Sequence, residues 1–189
     1  GRRFVFNYEI GKERRIWKTV KDRIDFPEGK TWEDYIKLRW MEITCGEAPF
    51  MTSRYDTTTG RAIRIEDRIG FLDRKFRLIN ENTNNRKDWY NAAIIAYQTC
   101  RAYEWQGDNL LLSRELLLYT FMDNYEYRFG ERPAKELVKE IADIISWNVR
   151  QMDGLKGVIH NSCHDVENFN LYGEVDCNPC HGFKKNNIH

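Results

Sequence analysis

Seven of the nine cysteine and histidine residues of this 189-residue chain lie in its last thirty positions: His160, Cys163, His164, Cys177, Cys180, His181 and His189. Even placement would put about one or two there, so the cluster has a cause. From Asn161 onward the chain also loses apolar periodicity and gains Asn and Gly, so a hydrophobic core cannot order it. The sequence therefore divides into a helical domain, residues 1–157, and a Cys/His-rich tail, residues 158–189, that a metal must organise.

Cys177-Asn-Pro-Cys180 presents two thiolates from one tight turn. That spacing suits tetrahedral zinc, which both sulfurs reach at about 2.3 Å. Cys163 is the natural third ligand, and the fourth comes from His160, His164, His181 or His189. His189 is preferred to His181, because a residue adjacent to a ligand is usually directed away from the same ion. The expected cofactor is zinc, held by Cys163, Cys177, Cys180 and His189. Five cysteines, an odd count, argue against a disulfide framework. The string CNPCH also spells the c-type haem attachment pattern, but that reading needs export, and the Gly1-Arg2-Arg3 start is not a secretory signal.

With 41% apolar and 14% aromatic residues the remainder is globular, not disordered. The expected fold class is mainly α: about six helices, one short β-hairpin and the irregular metal-binding appendage. A first helix covers Ile10 to Ile24, with Ile16, Val20 and Ile24 on one stripe. Thr31 and Asp34 form a capping box ahead of a helix carrying Tyr35, Ile36, Leu38, Trp40, Met41 and Ile43. The period changes to two between Phe50 and Ile65, around the Thr57 to Gly60 turn, which predicts the hairpin and the only sheet. Asp67 opens a helix through Leu72, Phe76 and Ile79, and Asn80 to Arg86 form a polar loop. Residues 88–105 read as the central helix, apolar nearly all round, packed as an antiparallel hairpin on a helix that Asp108 caps and Gly130 ends. A last helix opens at Pro133 and ends near Gly154, its buried stripe being Leu137, Val138, Ile141, Ile144, Ile145 and Trp147.

Thirty basic residues against twenty-nine acidic leave a net charge of +1, so no global field draws the chain onto nucleic acid or an anionic membrane. Contact with phosphates must be local. Candidates are Arg2, Arg3, Arg14, Arg15 and Lys18 in the basic N-terminal section, and Lys184 and Lys185 beside the metal; the alternative for each is a solvated face. No apolar run approaches the roughly 20 residues of a membrane span. The chain is expected in the cytoplasm. Charged residues also fall where helices should pack tightly: Arg54, Asp56, Asp73, Arg74, Glu104, Gln106, Asp108 and Arg114. They read as an ion-pair network at a helix junction, or as a polar ligand pocket.

Three resemblances add to this reading. His164-Asp165, Asn168 or Asn170-Leu171, CNPCH, Lys184 and His189 resemble an HNH-type nuclease finger. That likeness implies His164 as the base, Asn170 as its orienter, and His181 and His189 as ligands of a divalent ion. Tyr103 to Phe121 resembles the stretch of adenine-specific DNA methyltransferases in which an acidic, ribose-binding strand end precedes a Leu-rich helix. The Gly-rich donor loop is absent upstream, and no Asp-Pro-Pro-Tyr or Asn-Pro-Pro-Tyr motif exists, so neither methyl-donor binding nor a target-amine clamp is expected and the chain is not read as a methyltransferase. Finally, the phrases ITCGEAPFMTSRYDTTTG, RIGFLDRKFRLINEN, YEWQGDNLLLSRELLLYTF and IISWNVRQMDGLKG are similar to a prokaryotic and phage family labelled restriction endonuclease subunit M. The likeness implies an accessory protein of a phage or mobile element, acting on nucleic acid or on a host or phage protein in DNA modification, restriction or its evasion. An HNH-like endonuclease and a structural virion component are the alternatives. A non-enzymatic module is favoured over a nuclease.

Overall fold

The computed structural model describes residues 24, 26–56, 58–154 and 158–159. It is mostly helical among these residues, as expected, with five α-helices; the expected first helix, Ile10 to Ile24, lies outside the described residues but for Ile24, and the structure contains a sheet that the apolar periodicity did not show. In chain order the elements are α1 (Trp32–Ile36), β1 (Trp40–Glu42), a single 3-10 turn (Ile65–Asp67), α2 (Phe71–Asn82), α3 (Arg86–Gln98), β2 (Cys100–Glu104), α4 (Gly107–Phe129), α5 (Lys135–Asn148), β3 (Val149–Asp153) and β4 (Val158–Ile159). The sheet order is β1-β2-β3-β4. β1, β2 and β3 run parallel and β4 antiparallel to β3. Parallel neighbours need crossovers, and here α2 with α3 fills the first and α4 with α5 the second.

Four expectations change accordingly. The helix begun by Thr31 is only five residues long, and Trp40 to Glu42 leave it for the sheet. The helix read over 88–105 stops at Gln98, and Cys100–Glu104 becomes the middle strand, separating α3 from α4 instead of letting them form a plain helical hairpin. The last helix stops at Asn148 and its continuation is β3. β1, β2 and β3 are each three to five residues long and lie where a helix's apolar run was expected to continue, a case in which periodicity cannot tell the two apart. The predicted hairpin at 50–65 shrinks to one antiparallel bridge, Tyr55 to Ala62, outside the sheet. Trp147, assigned to a buried stripe, is 70% exposed.

The helix starts and stops follow local chemistry. The Thr31 amide donates to Asp34 Oδ2 at 3.0 Å, as the capping box predicts. Asn85 caps α3 by accepting the Asp88 amide at 2.9 Å. α4 begins at Gly107 with Gln106 as its cap, so Asp108 lies in the first turn and is not the cap. It ends where expected, at Gly130, whose φ of 71° suits a residue without a side chain. Thr99 ends α3: its hydroxyl bonds the Ile95 carbonyl at 2.8 Å and receives the Lys75 ammonium at 2.6 Å. Lys75 also donates to the Leu38 carbonyl at 2.7 Å, so one fully buried cation ties α2 to the starts of β1 and β2.

The core centres on Trp89, which is fully buried. Its rings meet Phe76, Phe121, Tyr125 and Phe129 with centroids 5.5 to 5.8 Å apart. Its indole N–H reaches Asn80 Oδ1 at 2.7 Å, so burial leaves no unpaired donor. α3 and α4 thus meet through aromatic side chains, helped by the Tyr97 hydroxyl donating to the Leu117 carbonyl at 2.7 Å. Cys100, Ala102 and Val149 carry the sheet into the same core.

Candidate functional site at the carboxyl ends of the strands

Ligands of parallel α/β units bind in the crevice beyond the carboxyl ends of the strands. Here β1 ends at Glu42 and β2 at Glu104, in adjacent strands, and both are buried, each with 8% of its surface exposed. After β1 the chain turns sharply back. The Cys45 amide bonds the Tyr103 carbonyl at 2.8 Å, and the Gly46 amide donates to Glu104 Oε2 at 2.6 Å. Gly46 (φ 53°) and Ala48 (φ 58°) both take the left-handed conformation. For Ala48, which is fully buried, that conformation costs about 1 kcal/mol, the kind of local strain that clusters at ligand sites.

Glu104 is held on both oxygens, since the Gln106 amide donates to Oε1 at 2.9 Å. A carboxylate has four lone-pair sites, so two backbone donors leave capacity for hydroxyls of a ligand. Glu42 differs. Neither of its oxygens has a hydrogen-bond partner of good geometry among the described residues. Burial pushes its carboxyl up to about 8; the Met51 and Phe50 amides pull it down by less, and the Glu104 charge raises it further. Cys45, beside both carboxyls, is pushed up to about 12 by burial and then by Glu42 and Glu104, so it is a neutral thiol at pH 7 and no nucleophile. Trp105, 43% exposed, and Ile43, 39% exposed, flank the two acids with apolar surface.

The Glu42 carboxyl gives a pH prediction. Folding favours its protonated form, so that contribution is complete below its ordinary value of 4.5 and is lost as pH rises through about 8. Denaturant titrations should show the parent losing about 4 kcal/mol between pH 5 and pH 9 that Glu42→Gln retains. Parallel curves for the two proteins would contradict the burial of an unpaired carboxyl.

Apart from Glu104 and Gln106, the residues suspected at the helix junction make structural contacts away from this site. Asp73 accepts the Ser53 amide at 2.7 Å, the Gly70 amide at 3.0 Å and the Thr52 hydroxyl at 3.0 Å. Arg54 pairs with Asp123 at 2.7 Å and Arg68 joins the same carboxylate at 2.8 Å, so the ion pair exists but its acid, Asp123, was not foreseen. Arg114 Nη2 donates to the Val149 carbonyl at 2.8 Å where α5 passes into β3. Asp56 accepts the Thr58 and Thr59 amides in its own turn, and Arg74 lies 5.6 Å over the Tyr35 ring. A cavity of about 670 Å³ between α2 and α4 is lined by Phe26, Asn80, Asn124 and Tyr127 among others. Its central amides already pair, Asn80 with Asn124 at 3.0 Å, so it offers less unpaired chemistry than the strand ends.

The residues first singled out as sites fall elsewhere. Cys163, Cys177, Cys180 and His189, the nuclease pair His164 and Asn170, and the phosphate candidates Arg2, Arg3, Arg14, Arg15, Lys18, Lys184 and Lys185 all lie outside the described residues. Among the described residues no group of three or more His, Cys, Asp or Glu is placed to hold a metal ion. None of the described helices is long and apolar enough to cross a membrane. Glu104 was named as a junction residue; Glu42 was missed, although an acid closing a short apolar run before Cys-Gly is a readable sign. The chain matches no protein-family profile, no curated protein and no solved structure.

Proposed function

We propose that this chain is a nucleoside-binding module of a DNA modification or restriction system, taking the adenosine part of a methyl-donor-type cofactor at the carboxyl ends of β1 and β2. One observation carries the reading: two buried carboxyls end adjacent parallel strands, one of them with no hydrogen bond of good geometry among the described residues, beside a turn with two left-handed residues. Glu104 offers acceptor lone pairs, and Glu42, protonated below about 8, can both donate and accept, so the pair suits the vicinal hydroxyls of a ribose. Trp105 supplies an apolar surface for the base. The likeness of Tyr103 to Phe121 to the ribose-binding stretch of adenine-specific DNA methyltransferases points the same way. The upstream segment lacks a run of glycines, yet Gly46 and Ala48, both left-handed, turn the chain sharply at the end of β1. The target-amine motif is absent from the sequence, and methyl transfer is not assigned to these residues.

Titration calorimetry with S-adenosylmethionine, S-adenosylhomocysteine and adenosine tests this. Saturable binding of the adenosine compounds, with none of free methionine, is expected, and ligand at about a hundred times its dissociation constant should add about 2.7 kcal/mol to stability. No heat and no shift in melting with any of the three would end the proposal.

The zinc tail is a second part of the proposal. Metal analysis of protein purified without chelator should find about one zinc per chain, lost in Cys177→Ser, while the helical circular dichroism persists. Zinc-free protein would remove this part without touching the first.

A further inference from the structure

The parallel sheet has two faces. Glu42, Ala102 and Glu104 lie on the core side, and alternation places Met41, Arg101, Tyr103 and Arg150 on the other. Near its amino-terminal edge that second face is open: Met41 is 54% exposed, and Trp147, in the last turn of α5, is 70% exposed. The Arg150 guanidinium lies 5.4 Å from the Trp147 ring centroid, and its Nε donates to the Trp147 carbonyl at 2.8 Å. One face of the indole is thereby backed by a fixed cation. Across the strands, Arg101 Nη1 is shut off from water yet has no hydrogen-bond partner among the described residues. A hollow of about 410 Å³ joins Arg101 to Trp147, with Gln98, Asn148 and the acids Glu140 and Asp143 on its walls. Glu140 is engaged by the Tyr90 hydroxyl at 2.8 Å.

We infer that this face holds a single-stranded nucleic acid, one base stacked on Trp147 and a backbone phosphate taken by Arg101, with Arg150 behind the indole. An exposed aromatic backed by arginine is the usual stacking platform for unpaired bases. Arg101 lines the hollow, and with its Nη1 unpaired among the described residues it has a donor left for an oxyanion such as a backbone phosphate. Duplex is the poorer fit, because its bases are already stacked and present no free face to a single indole. The platform is independent of the nucleoside site, from which it differs in both residues and sheet face.

Fluorescence anisotropy with labelled fifteen-nucleotide oligo-dT, oligo-U and a duplex of equal length tests it on the full chain. Single strands should bind in preference to duplex, and the oligo-dT and oligo-U arms tell DNA from RNA. Trp147→Ala should weaken single-strand binding about tenfold. Arg101→Gln should weaken it less and lower the salt slope by about one phosphate. Trp147→Phe, which keeps a flat ring, should recover most of the affinity and guards against loss of folding in the alanine variant. Affinity within twofold of the parent in both Trp147→Ala and Arg101→Gln overturns the inference, as does an absence of single-strand binding by the parent at low salt.

Discussion

Asp73→Ala should lower the unfolding free energy by about 4 kcal/mol, the largest stability loss expected of any single polar substitution in the described structure. The carboxylate is buried and receives the Ser53 and Gly70 amides and the Thr52 hydroxyl. Alanine removes every acceptor at once, and each buried amide left unpaired costs about 1 to 3 kcal/mol. The consequence extends past the side chain. Thr52 shares its hydroxyl with Thr120 on α4 at 2.9 Å, so Asp73 joins the segment after β1, the start of α2 and the middle of α4. Gly70 is packed so closely on the Met51 carbonyl that a Cβ would overlap it, which shows how little the joint can relax. Urea unfolding of Asp73→Ala beside Asp73→Asn measures the effect; a loss under about 1 kcal/mol would mean the network is not a structural joint.

Glu104→Ala should weaken nucleoside binding about a hundredfold and lower stability by about 2 kcal/mol. Both effects come from the same carboxylate. It fixes the turn after β1 through the Gly46 amide and the start of α4 through the Gln106 amide, and it offers its remaining lone pairs to the ligand. Glu104→Gln keeps one acceptor oxygen but points an N–H₂ at an amide donor, so its affinity should fall between the two. Calorimetric titration and urea unfolding of the three proteins separate the roles. Unchanged affinity in Glu104→Ala would detach the carboxylate from the ligand even if stability fell as expected.

Much of the helical body could be read from residue pattern because long elements average over many positions. The stripe Leu72, Phe76 and Ile79 marks α2, and a glycine with positive φ ends α4 at Gly130. The strands could not be read the same way. Cys100–Glu104 and Val149–Asp153 directly follow helices, carry the helices' own apolar run, and are too short for a period of two to assert itself. What separates helix from strand at residue 99 is tertiary: the Thr99 hydroxyl closes α3 because Lys75, twenty-four positions away, reaches it. The candidate site inherits this blind spot. Glu42 and Glu104 are sixty-two positions apart and become neighbours only once β1 pairs with β2 in parallel, a pairing no local spacing announces. Polar junction residues, by contrast, were legible as a group, because charges inside an apolar run need partners; the partner itself, Asp123, was not.

Amide hydrogen exchange with and without saturating S-adenosylhomocysteine tests the nucleoside site most directly, because it reports where the ligand sits as well as whether it binds. The account predicts slower exchange in two stretches, residues 43–51 after β1 and residues 104–108 at the start of α4, with that protection lost in Glu104→Ala. Protection confined to other segments, or none at a ligand concentration that saturates calorimetric binding, would contradict it.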